Sequence, residues 1–239
     1  MEINYVLKII LPILIVELLA AVAGTYYLIT TTHWIKSTKY FVIFLWYTFF
    51  VELIGTYSPI AYFSNYFSFV EGTSFENNYW WYNIYTLISV SFLSWYFISF
   101  VKNAIWKRIA AILIFGFIIS GVIEYATSGE FFLMTSSFTS ISGAFLLFIS
   151  IAIFYFELLK SDMLLRLQKF LPFYFSIAVL VFHLTVTPLE TLTQYFKLED
   201  GNDLFVKLRA NVLMYAILFM YLTFTLGFLI CSKKKKSFY

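Results

Sequence analysis

The sequence predicts an all-α polytopic membrane protein, a bundle of seven transmembrane helices with the N-terminus outside and the C-terminus in the cytoplasm. Three observations carry that expectation. Of 239 residues, 62% are hydrophobic and 12% charged, against roughly 45–50% and about 25% in soluble domains. Seven unbroken apolar stretches approach the ~20 residues that a helix needs to cross a hydrocarbon core ~30 Å thick. The Lys and Arg residues between these stretches alternate between rich and poor gaps. Membrane-spanning strands would instead read as alternating segments of about ten residues.

The first stretch, about 6–29, is rich enough in Leu, Ile and Val to carry Glu17 in its interior, since each such residue offsets a few tenths of a kcal/mol of the roughly 3 kcal/mol cost of a central acid. The second, about 40–61, aligns Thr48, Glu52, Gly55 or Thr56, and Pro59 at helical spacing. The third, about 80–100, opens on Tyr79-Trp80-Trp81-Tyr82, a composition suited to the lipid–water boundary. The fourth, about 109–127, aligns Gly116, Ser120 and Glu124; the fifth, about 133–157, aligns Ser136, Ser140, Gly143 and Ala144. The sixth, about 171–193, contains Pro188, whose ring crowds the carbonyl of Leu184 and predicts a kink beside His183. The seventh, about 209–231, ends at Cys231, ahead of a short basic tail, 232–239.

Direction follows from charge. One set of alternate gaps holds Lys36, Lys39, Lys102, Lys107, Arg108, Lys160, Arg166, Lys169 and Lys233 to Lys236. The other holds Lys8, Lys197, Lys207 and Arg209, and its loops 62–79 and 128–132 contain no basic residue. Basic residues are retained on the cytoplasmic side, so the richer set faces inward. A cleaved leader ending at Ala21-Val22-Ala23 would invert every later span against this bias and is rejected. The expected location is a plasma or bacterial inner membrane. The lysine tail reads as an anchor on anionic lipid, with Cys231 a conceivable acylation point beside it.

Other classes are excluded or weakened by what the chain lacks. A single cysteine rules out an intrachain disulfide and a cysteine metal cluster. Two histidines, His33 and His183, supply neither a zinc site nor a haem pair well, and no cofactor is expected. The seventh span has no central lysine for a retinal Schiff base. No glycine-rich phosphate loop and no soluble module are present in the sequence, and nucleic acid is not an expected partner. His33 beside Trp34 reads as interfacial, and Glu157 with Asp162 as part of a solvated cytoplasmic cluster.

The remaining polar groups are the candidate site. Ionisable residues inside a membrane are costly and are functional candidates by default. Glu17, Glu52 and His183 fall deep in the first, second and sixth spans. Asn83, Glu124, Glu190 and Asn211 fall nearer the outer boundary. His183, Thr187, Glu190 and Gln194 share one helical stripe, and Glu17 lies with Ala20, Ala21 and Gly24. Small residues beside the acids imply close helix packing, which turns the acids inward. The expected function is a receptor-like or regulatory membrane module. Its outward-facing pocket takes a small or cationic ligand, and it acts through a separate signalling or effector protein. A proton- or cation-coupled transporter or channel is the alternative. An intramembrane enzyme is less favoured, since no nucleophile or metal spacing stands out. Oligomeric state is left open.

Overall fold

The computed structural model describes residues 3–32, 34–64, 66–192 and 202–232. His33, Gln194, Lys197 and the lysine tail, all named above, lie outside the described residues. The helices are α1 (Ile3–Thr30), α2 (Lys36–Gly55), α3 (Tyr57–Phe63), α4 (Tyr79–Ile98), α5 (Ala104–Thr127), α6 (Ser137–Leu159), α7 (Leu171–Leu192) and α8 (Asp203–Ser232), with no strand among the described residues. Six helical spans are long and apolar enough to cross a membrane, α2 and α3 together forming one of them. The chain is a multi-pass helical membrane protein.

The long helices close on one another. α1 packs on α2 and α8, α8 on α7, α7 on α6, α6 on α4 and α4 on α2, which completes a ring of six. α5 stands outside the ring, against α4 and α6. The hydropathy of each helix follows from its place. α5 buries only Ala110, Phe117 and Gly121 of its 24 residues, and at a mean hydropathy of 2.2 it ranks with α1 as the most apolar span. α4 is as long as α2 at 20 residues but falls short of a spanning hydropathy. Its Tyr82 and Asn83 side chains bond to other elements, and its Thr86 and Ser89 hydroxyls bond to carbonyls of α4 itself, which lets the helix carry polar groups among its neighbours.

At the end where α1 finishes and α2 begins, the ring is filled by aromatic side chains. Phe41 of α2 stacks on Phe175 of α7 at 4.1 Å between centroids and meets Tyr96 of α4 at 4.7 Å and Phe224 of α8 at 5.3 Å. Phe228 closes on Phe175 at 5.1 Å. Each of these five rings is at most 2% exposed. Offset and edge-on pairs of this kind contribute roughly 0.5–1.5 kcal/mol each beyond their buried area. At the same end, the Glu157 carboxylate accepts from the backbone N–H of Lys102 at 3.1 Å, joining α6 to the α4–α5 turn rather than standing only as a solvated acid. Asn103 then caps α5, accepting from the N–H groups of Ile105 and Trp106.

Two details differ from the linear reading. The second apolar stretch breaks at Thr56, between α2 and α3. Pro59 has no N–H to give the carbonyl of Gly55, four residues back. That carbonyl accepts instead from the Asn78 side-chain amide at 2.7 Å. The last helix begins at Asp203, earlier than its apolar run, so Arg209 lies within the helix and not in a loop at its mouth.

Small residues do set the close approaches, though not all those expected. A Cβ on Gly24 would lie 2.8 Å from Val42 and 3.0 Å from Phe228, at the junction of α1, α2 and α8. Gly143 likewise meets Val90 at 3.0 Å. The stripe of Gly116, Ser120 and Glu124 on α5 was expected to pack; instead Gly116 is exposed with nothing within 4 Å of a Cβ placed there. Gly121 meets Leu87 and Thr139 in its stead, because the side of α5 that faces α4 and α6 carries Phe117 and Gly121. Gly24→Leu is therefore expected to lower the melting temperature of the detergent-solubilised protein, by overpacking worth about 1–3 kcal/mol. Gly116→Ala should leave it unchanged or slightly raised.

Candidate functional site

A cavity of about 490 Å3 occupies the other half of the ring, at the end where α1, α4, α6 and α8 begin and α2 and α7 finish. Its floor reaches Leu93, Met220 and Tyr221, next to the aromatic packing. Its volume falls within the range of roughly 300–1,000 Å3 usual for small-molecule sites. A second depression of about 330 Å3, between α4 and α5 around Trp95 and Lys107, holds none of the candidate residues.

Glu17 enters from α1 with its side chain almost fully buried, at 3% exposure. Ala20 and Ala21 on the following turn are fully buried and draw α1 against its neighbours. Glu52 enters from α2, and the two carboxyls are close enough to interact electrostatically across the cavity. The Tyr82 hydroxyl of α4 donates to Glu52 Oε2 at 3.0 Å. Gly55, one turn beyond Glu52, makes that bond possible. A Cβ at position 55 would lie 2.5 Å from the Tyr82 oxygen, nearer than real contacts allow. Beneath this pair the Tyr85 hydroxyl lies 3.1 Å from Thr48 Oγ1, and Tyr221 of α8 stands beside both Glu17 and Tyr85. Glu17 Oε2 is buried and has no hydrogen-bond partner among the described residues.

α7 contributes His183 and Glu190 to the same cavity. His183 is half-buried and meets Phe182 edge-on at 5.1 Å. Glu190, two turns further along the helix, receives both of its contacts from one Arg209 nitrogen, Nη2, at 2.8 and 2.7 Å. The pair ties the last turns of α7 to the first turns of α8 at the mouth. Pro188 lies inside α7, which runs unbroken from Leu171 to Leu192.

Four of the seven candidates, Glu17, Glu52, His183 and Glu190, thus share one cavity, and three do not. Asn83 is fully buried, but its amide is committed to the turn before α6. Nδ2 donates to the carbonyls of Phe131 and Met134 at 2.9 and 3.0 Å, and Oδ1 accepts from the N–H of Ser136 at 3.2 Å. Glu124 lies on α5, outside the ring, with one carboxylate oxygen buried and unpartnered among the described residues. Asn211 is exposed on the surface of α8.

No family model matches the sequence, and no curated protein or solved structure matches it either. The most informative members of the cavity beyond the acids are Arg209, Tyr82, Tyr85 and Tyr221. Arg209 was hidden by an apolar run that starts late; the Asn-Asp pair at 202–203, a helix-start signal, would have extended the helix to include it. The tyrosines were hidden by their number, 19 in the chain. The run Tyr79–Tyr82 is more than a boundary belt. Trp81 donates to the carbonyl of Val51 at 2.9 Å and Trp80 to the Tyr57 hydroxyl at 3.0 Å, so it fastens α4 to α2 and α3. No cluster of three or more metal-ligating side chains occurs among the described residues.

The Glu190–Arg209 pair has a measurable signature. Arg209→Ala leaves the Glu190 carboxylate half-buried without its partner and should destabilise the protein by roughly 1–3 kcal/mol. Glu190→Gln combined with Arg209→Gln should recover much of that loss in thermal melting.

Proposed function

We propose that the protein is a receptor-like or regulatory membrane module of seven spans, with α4 as the seventh. Its N-terminus lies outside a plasma or bacterial inner membrane and its C-terminus in the cytoplasm. A small molecule enters the cavity from outside, and the response passes to a separate signalling or effector protein.

The observation that carries this reading is the asymmetry of the ring. One half holds the polar cavity and the other is filled by Phe41, Tyr96, Phe175, Phe224 and Phe228. Conduction needs a polar lining through both halves, and the aromatic packing gives none. The cavity lies toward the end whose connecting segments are poorest in Lys and Arg, which supports an outward mouth. α7 links the halves. It carries His183 and Glu190 in the cavity and Phe175, Ala178 and Val179 in the packed region. A ligand that shifts α7 would disturb the stacking of Phe175 on Phe41 and, through it, the cytoplasmic segment at Asp162–Lys169 that precedes α7.

The facing pair of Glu17 and Glu52 also suits a proton- or cation-coupled transporter, and flux separates the two readings. Purified protein in liposomes is expected to pass neither protons nor monovalent cations above the lipid background. Cross-linking in native membranes is expected to capture one cytoplasmic or membrane partner reproducibly. Measured flux that Glu17→Gln abolishes would replace the receptor reading with transport.

A further inference from the structure

We infer that the occupant of the cavity is an organic cation, an ammonium group on an apolar or aromatic body, with its charge seated between Glu17 and Glu52. This rests on the small-molecule reading of the cavity and adds the chemical class of the ligand.

The charge balance of the cavity is the first ground. Among the described residues three carboxyls line it, Glu17, Glu52 and Glu190, against one arginine. Arg209 is engaged by Glu190 through both carboxylate oxygens. No lysine or arginine among the described residues pairs with Glu17 or Glu52. Two acids facing each other in a cavity with mostly apolar walls are costly without a counter-charge.

The second ground is independent of the first. Glu17 is 3% exposed, and its Oε2 has no donor among the described residues. Buried carboxylate oxygens in folded proteins nearly always find a hydrogen bond. Oε2 borders a cavity large enough to admit a donor, and among the donors that fit there an ammonium supplies both the hydrogen bond and the charge.

Size and wall chemistry then separate an organic cation from a bare ion. About 490 Å3 is far more than a metal ion fills, and a hard cation wants six or more oxygen ligands, which two carboxyls do not provide. The walls around the acids are the side chains of Ile13, Val90, Val186 and Leu213 and the rings of Tyr82 and Tyr85. Such walls suit an apolar body, and tyrosine rings attract a cation lying against their faces.

The test uses the full-length protein in nanodiscs and titration calorimetry with three probe series: phenylalkylammonium ions of graded chain length, the matched alcohols, and the matched carboxylates. At least one ammonium should bind saturably and at least tenfold more tightly than its alcohol, and the carboxylates should not bind. Glu17→Gln should reduce the ammonium affinity tenfold or more and leave the alcohol affinity unchanged. Should Glu17→Gln fail to fold, Glu52→Gln is measured in the same way, and the wild-type comparison of ammonium with alcohol stands without either variant. Equal binding of ammonium and alcohol would overturn the charge assignment while leaving the cavity a small-molecule site. No saturable binding by any probe would overturn both.

Discussion

A carboxyl in the interior of a lipid-embedded bundle can draw on no bulk water, so its partners must come from neighbouring helices or from whatever occupies the space beside it. Glu52 meets that constraint through Tyr82 at 3.0 Å, and much of the surrounding architecture serves the contact. Gly55 leaves room for the phenol. Pro59 frees the Gly55 carbonyl, which the Asn78 amide takes up, and Trp81 fastens the start of α4 to α2 at Val51. Glu190 meets the constraint through Arg209. Glu17 meets it only in part: Tyr221 stands against its carboxyl, while Oε2 is buried without a partner among the described residues. Its unfilled hydrogen-bonding capacity is the imbalance from which the functional reading grows.

The same constraint orders the ring. Helices that face protein on several sides accept polar side chains, and α4 is the clearest case. Its Tyr82 bonds to Glu52 of α2 and its Asn83 to the turn before α6, while Thr86 and Ser89 bond to carbonyls of α4 itself. The helix that meets the most lipid, α5, carries few polar side chains and contributes none to the cavity. The two halves of the ring then divide the work. Aromatic stacking holds one end closed at low conformational cost, since each ring has few torsions to lose on packing. The polar half remains open because its side chains spend themselves on capping and pairing and leave space between.

The helical class was legible because hydropathy reports directly on what a helix dissolves in. The grouping of Glu17, Glu52 and His183 was legible through helical periodicity combined with depth, and Glu190, read nearer the boundary, joins them because it shares the His183 stripe. Asn83 was misleading for a physical reason. An amide at a helix start serves a ligand or a neighbouring turn equally well, and only the turn at Phe131–Ser136 decides. Glu124 and Gly116 were misread because periodicity fixes a face but not what lies opposite it. Gly116 points away from the neighbouring helices, while Ser120 and Glu124 are half-buried at the edge of the α5 contact, outside the ring. Arg209 and the cavity tyrosines needed the three-dimensional arrangement, because their partners, Glu190 and Glu52, lie 19 and 30 residues away in the chain.

The central claim is a cavity open at one end of the ring and sealed at the other. Single cysteines in a Cys231→Ser background, labelled from each side with a membrane-impermeant maleimide, test it most directly. Cysteines at Thr56 and Ser140, which line the cavity, should label from outside only. Cysteines at Ser94 and Ser176, both fully buried at 0% exposure, should label from neither side. Labelling of Ser94→Cys or Ser176→Cys from the cytoplasm, or of the cavity positions from the cytoplasm alone, would contradict the account.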